Sequence, residues 1–90
     1  MNYIITYERE ALRDFEELEH EERNQTLKKL YEVAGSEYRS LQQFDVRPMR
    51  NEDHRWRLRV GDNLRIILTI HENESRLEVS KIARRENLYQ

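Results

Sequence analysis

The sequence predicts an α+β fold in the order β-α-α-β-β-β: a two-helix hairpin packed on a small, mainly antiparallel sheet. Three observations predict it. From Arg55 to Leu68 apolar side chains fall at every second position on either side of Gly61-Asp62-Asn63, the period of a strand with one face turned inward. Between residues 11 and 34 they recur three and four apart, the period of a helix. Short runs of β-branched, apolar and aromatic residues stand near both ends of the chain, where further strands are expected.

The first strand is expected over Asn2–Thr6. Thr6 is a residue type that caps helices, and Glu8 and Glu10 follow it where a helix dipole favours acid. Ala11, Leu12, Phe15 and Leu18 mark the first helix, and a polar break is expected at His20 to Arg23. Leu27, Leu30, Tyr31 and Ala34 mark the second, with Gly35 as its terminator. Residues 36–53 are the least regular; Tyr38, Leu41, Phe44 and Val46 are available as anchors, and Pro48 ends any helix there. The hairpin follows, then a polar turn over His71–Ser75. A last strand is expected over Arg76–Ala83, with Leu77 and Val79 on one face and Ile82 on the other. The tail runs from Arg84 to Gln90. The first strand is expected at a sheet edge.

The apolar pattern also selects the hairpin register. A three-residue loop, Gly61 to Asn63, sets Val60 against Leu64, Leu58 against Ile66 and Trp56 against Leu68, all on one side. A two-residue loop mixes the faces, and a slip of one residue turns a whole apolar set toward water. The chosen register puts Arg55, Arg57, Arg59 and Arg65 on the opposite face, with Arg59 directly across from Arg65. Like charges so placed are destabilising. They are either splayed into water or held apart by an anion.

Composition bounds the rest. Ninety residues form a single domain, 1–90. With 37% of residues apolar and 38% charged, the core is thin, enough for one sheet with helices on it. There is no cysteine, which excludes disulfides, thiolate nucleophiles and zinc ribbons. No run approaches a membrane span and no leader is evident, so a cytoplasmic location without membrane contact is expected. Residues 1–53 carry eight Lys and Arg against thirteen Asp and Glu; residues 54–90 carry eight against five. Basic charge therefore gathers on the hairpin and tail.

No metal site is expected. His20, His54 and His71 lack ligand spacing, and Glu16 with His20, one helical turn apart, sits on a strongly acidic face. Two glycines form no phosphate-cradling loop. Trp56 reads as packing. The chemistry-bearing candidates are Arg57, Arg59, Arg65, Arg84 and Arg85, which converge if the last strand lies beside the hairpin. Guanidinium matches phosphate bidentately and keeps its charge at neutral pH. Tyr89 sits four residues past Arg85. A phenol is only about 0.1% ionised at pH 7, and neighbouring arginines lower its pKa toward use as a base.

Trp56-Arg57-Leu58-Arg59-Val60-Gly61-Asp62-Asn63-Leu64-Arg65-Ile66-Ile67, followed by Ile82-Ala83-Arg84-Arg85-Glu86-Asn87-Leu88-Tyr89, resembles the RelE/ParE superfamily of bacterial type II toxins, and its RelE branch in particular. Tyr3-Ile4-Ile5-Thr6 leading into Ala11-Leu12 and Phe15 is similar as well. The resemblance covers nearly the whole chain and is weakest over 36–53. It implies the RelE-like RNase toxin fold and a ribosome-dependent mRNA endonuclease that needs no metal or other cofactor. It further implies that Arg57 and Arg59 hold RNA phosphate together with Arg84, that Arg65 is the phosphate-binding arginine of the next strand, that Arg85 assists the leaving group, and that Tyr89 is the general base. The implied partners are a cognate antitoxin, the ribosome and its mRNA. The alternative within the superfamily is the ParE-like branch, non-enzymatic toxins that bind and inhibit DNA gyrase.

Overall fold

A computed structural model of the chain describes residues 3–35, 46–48 and 55–88. Its elements are β1 (Ile4–Tyr7), α1 (Arg9–Glu17), α2 (His20–Ala34), β2 (Val46–Pro48), β3 (Arg55–Val60), β4 (Leu64–His71), β5 (Arg76–Arg84) and α3 (Arg85–Leu88). The strands form one five-stranded sheet in the order β1-β5-β4-β3-β2. All neighbours are antiparallel except β1 and β5, which run parallel. The α+β class and the sequential order of the main elements are those the sequence predicts, with β1 at an edge. The short strand β2 is an addition, at the opposite edge. Its Pro48 donates no ladder hydrogen bond, and edges are where sheets accept proline.

The β3–β4 register is the expected one: Val60 pairs with Leu64, Leu58 with Ile66, Trp56 with Leu68, and Arg59 with Arg65. Gly61 opens the loop at φ 59, a left-handed conformation that glycine adopts without a Cβ penalty. Leu58, Val60, Leu64, Ile66, Leu68, Ile70, Leu77, Val79 and Ile82 form the sheet side of the core, and Ala11, Leu18, Leu30, Val33 and Ala34 the helix side. Trp56 packs half-buried against this cluster.

Ile82 corrects the expected facing of the last strand. Leu68 pairs with Val79, but Ile67 pairs with Lys81. Ser80 is therefore an extra residue, a β-bulge, and it reverses the alternation beyond it. Ile82 joins Leu77 and Val79 in the core, 4% exposed. Arg84, two residues further on, is carried to the same side.

The helix boundaries differ from expectation in two places. Thr6 does not cap α1. It lies within β1, where its hydroxyl donates to the Leu77 carbonyl at 3.5 Å and accepts from Arg76 at 3.0 Å; the cap position is Glu8. The break between helices falls at Leu18 and Glu19, both extended, and α2 already begins at His20. Glu22 stabilises that start by accepting the Glu19 N–H at 3.0 Å, one half of a capping box. Gly35 follows α2 as expected. Among the described residues, no helix is long and apolar enough to cross a membrane.

α1 continues along β5 where β1 stops. Asp14 accepts the main-chain N–H of Ile82 at 3.0 Å, and Lys81 donates to Glu10 at 2.9 Å. A strand edge vacated by β1 thus finds its hydrogen-bond partner on a helix side chain.

Candidate phosphate-binding site

The face of the sheet away from the helices carries the guanidinium groups. Arg55, Arg57 and Arg59 alternate on β3, and Arg65 stands across from Arg59 on β4. Arg57 lies between Arg47 of β2 and Ile67 of β4 in register. Ile67 is 4% exposed and lies outside the helix-side core, so this face has an apolar floor beside its charges.

Arg65 is the unusual member, being 8% exposed. Its Nη1 donates to the carbonyl of Leu64 at 2.8 Å and of Asp62 at 3.4 Å. Among the described residues, no carboxylate pairs with it. A guanidinium removed from water with only neutral carbonyl partners retains most of its positive field. Arg59 differs. Its Nε donates to the Gly61 carbonyl at 3.2 Å and its Nη2 to Asp62 Oδ1 at 3.2 Å.

The structure does not place Arg84 on this face. The bulge at Ser80 turns it to the helix side, where Nη2 donates to Glu22 Oε1 at 3.0 Å and Nη1 to Glu22 Oε2. Planar fork meets carboxylate, the strongest form of this pair. Glu22 thereby holds both the start of α2 and the end of β5. The hydrogen bond from Arg84, followed by that from the Glu19 main chain, lowers its carboxyl pKa below the ordinary value.

A carboxylate with a lower pKa folded than unfolded stabilises the fold above its unfolded pKa and loses that contribution as pH falls through the folded value. The Glu22→Gln variant is expected to be less stable than wild type at pH 7. The difference should shrink as pH drops below about 4. Urea denaturation at a series of pH values checks both statements.

Arg85 is exposed and begins α3, directly after the strand. Its main-chain N–H donates to Asn63 at 2.6 Å, fastening the start of α3 to the hairpin turn. Asp62, Asn63, Arg84, Arg85 and Glu86 line a cleft of about 450 Å³ there. Asp62 belongs both to this cleft and to the arginine face. Of the expected site residues, Arg57, Arg59 and Arg65 share the open face, Arg85 lies at its turn end, and Arg84 serves as a clamp. Tyr89 lies outside the described residues. Sequence reasoning missed Glu22 and Asp62; the Glu19/Glu22 spacing was the available signal for the first, and Asp62 three residues after Arg59 for the second.

Among the described residues, no group of three or more His, Asp or Glu side chains is arranged to hold a metal. His71 instead pairs with Glu78 at 3.1 Å and Glu74 at 3.6 Å, at the far end of β4.

No family model and no curated protein matches the chain. Solved structures do. A mutant of the Escherichia coli toxin RelE in the free state matches with a TM-score of 0.78 at 19% identity, over 97% of this chain and 87% of that one. The RelBE2 toxin–antitoxin complex of Mycobacterium tuberculosis matches with a TM-score of 0.77 at 14% identity, over 94% and 93%. The archaeal RelE–RelB complex of Pyrococcus horikoshii matches with a TM-score of 0.76 at 17% identity, over 94% and 97%. The chain has the fold of the RelE toxins over nearly its full length.

Proposed function

We propose that the chain is the toxin of a type II toxin–antitoxin pair and that it cleaves mRNA on the ribosome, in the cytoplasm and without a metal. The observation that carries the reading is Arg65, a buried guanidinium without a carboxylate among the described residues, set beside Arg57 and Arg59 on a fold shared with RelE. Cations fixed on a rigid sheet, in a site that resists reorganisation, suit charge that builds up on a phosphate.

In this reading an RNA 2′-hydroxyl attacks the adjacent phosphorus, and Tyr89 takes its proton. Arg57, Arg59 and Arg65 bear the charge of the phosphorane. The bond to the 5′-oxygen breaks, leaving a 2′,3′-cyclic phosphate and a free 5′-hydroxyl once that oxygen takes a proton from solvent water. Arg85 stabilises the departing oxygen by its charge; a guanidinium keeps its proton at neutral pH and does not readily release it. Arg84 acts through its clamp on Glu22, positioning Arg85.

The test is purified protein added to ribosomes carrying a defined message, with the message mapped by primer extension. Cleavage confined to the ribosomal A site and lost in Tyr89→Phe is the expected result. An intact message, with DNA gyrase inhibited instead, replaces this reading with the ParE-like one.

The arginine face also suits the acidic segment of a cognate antitoxin. The Arg57→Glu/Arg59→Glu double variant is expected to bind the antitoxin encoded beside it at least about tenfold more weakly. Calorimetry of the two proteins measures this, and unchanged affinity removes the arginine face from the interface.

A further inference from the structure

Arg59 and Arg65 stand directly opposite each other, and the turn between their strands supplies what holds the two charges together. Asp62 Oδ1 lies 3.2 Å from Arg59 Nη2. The main-chain oxygen of the same residue accepts from Arg65 Nη1 at 3.4 Å. One aspartate thus reaches both guanidinium groups, one through its carboxylate and one through its backbone. The two contacts are of different strength and permanence. The carbonyl is fixed by the turn, but the Asp62 side chain is 91% exposed and is free to rotate into water.

We propose that Asp62 is an internal counter-ion of the phosphate site: its carboxylate occupies Arg59 in the unliganded protein and is displaced when a phosphodiester binds. The inference rests on the reading of the arginine face as phosphate-binding. Three features point to it. The carboxylate and a phosphate oxygen are chemically alike toward a guanidinium and compete for the same N–H donors. The pair is exposed, so its own strength is small and an incoming anion with several oxygens overcomes it. Arg65 lacks a carboxylate among the described residues, so a phosphate bridging the two arginines gains the buried charge and has only Arg59 to win from Asp62. The displaced carboxylate turns toward the cleft that it already lines with Asn63, Arg85 and Glu86.

The expected effect is a modest tightening on removing the competitor. The Asp62→Asn variant keeps a turn-forming residue of the same shape and should bind a short single-stranded RNA, and inorganic phosphate, about three- to fivefold more tightly than wild type. Calorimetry reads the affinity of every variant, and in proteins that keep Arg59 an NMR titration following its Nε–H resonance reads the contact itself. In an Arg59→Gln background the gain from Asp62→Asn should vanish, since the two residues act as one unit. The Glu86→Gln variant removes an equal charge from the same cleft without touching Arg59 and should give a smaller gain.

Equal affinities of wild type and Asp62→Asn, with Arg59→Gln still weaker, overturn the counter-ion role and leave the phosphate site standing. Equal gains from Asp62→Asn and Glu86→Gln overturn it as well, because net charge then explains both. Absence of phosphate or RNA binding by wild type and Asp62→Asn alike overturns both the site and the inference.

Discussion

Arg65→Ala is expected to lower the rate of message cleavage on the ribosome by at least about 100-fold, the usual cost of deleting one fixed donor to a developing negative charge. The magnitude follows from where Arg65 sits. It is 8% exposed, its direction is set by two main-chain carbonyls, and water screens it little. The more exposed Arg59, already shared with Asp62, should cost less when replaced. Because Arg65 also fastens the turn, the alanine variant loses stability, so the comparison needs Arg65→Lys. Lysine keeps the charge but cannot form the planar fork. Partial activity of the lysine variant, with both variants folded by circular dichroism, separates the loss of charge from the loss of shape. Single-turnover cleavage by Arg65→Ala at the wild-type rate contradicts the assignment.

Inserting one alanine between Lys81 and Ile82 is expected to destabilise the fold by more than about 4 kcal/mol, a large share of the stability of a domain of this size. The inserted residue reverses the alternation a second time beyond the bulge. Ile82 then faces away from the helices, which alone forfeits about 2 kcal/mol of apolar burial. Arg84 turns away from Glu22, and the Ile82 N–H that Asp14 now satisfies is displaced. Substitution at the bulge tells a different story from insertion beyond it. The Ser80 hydroxyl is buried and finds no hydrogen-bond partner among the described residues, so Ser80→Ala removes a polar group that none of them meets. Its stability should match wild type or exceed it by up to about 1 kcal/mol. Urea denaturation of the two variants checks both expectations, and an insertion variant as stable as wild type refutes the role given to the register beyond the bulge.

The contrast between the hairpin and the last strand shows what a sequence of this kind discloses. Trp56, Leu58 and Val60 face Leu64, Ile66 and Leu68 because two apolar alternations must coincide, and only one loop length permits it. Nothing comparable marks Ser80. A bulge adds one residue without a composition signal, so period two carried past it assigns Ile82 and Arg84 to the wrong face. The break at Leu18 and Glu19 was hidden for another reason. Leucine fits the helical spacing and glutamate favours helices, while the hydrogen bond from the Glu19 amide to Glu22 that restarts the helix depends on geometry. Val46-Arg47-Pro48 is too short to show any period. At the site, the likeness of Arg57, Arg59 and Arg65 in facing was legible from parity alone. The pairing of Arg84 with Glu22 was not, since 62 positions separate them and a bulge intervenes.

The central claim is that the guanidinium face holds a phosphate under attack by its own neighbouring 2′-hydroxyl. The most direct test is a message with a single 2′-deoxynucleotide at the scissile position, placed in the ribosomal A site and exposed to the protein. The account predicts cleavage of the all-ribose message to a 2′,3′-cyclic phosphate end and no cleavage of the deoxy-substituted one. Cleavage of both at equal rates contradicts it.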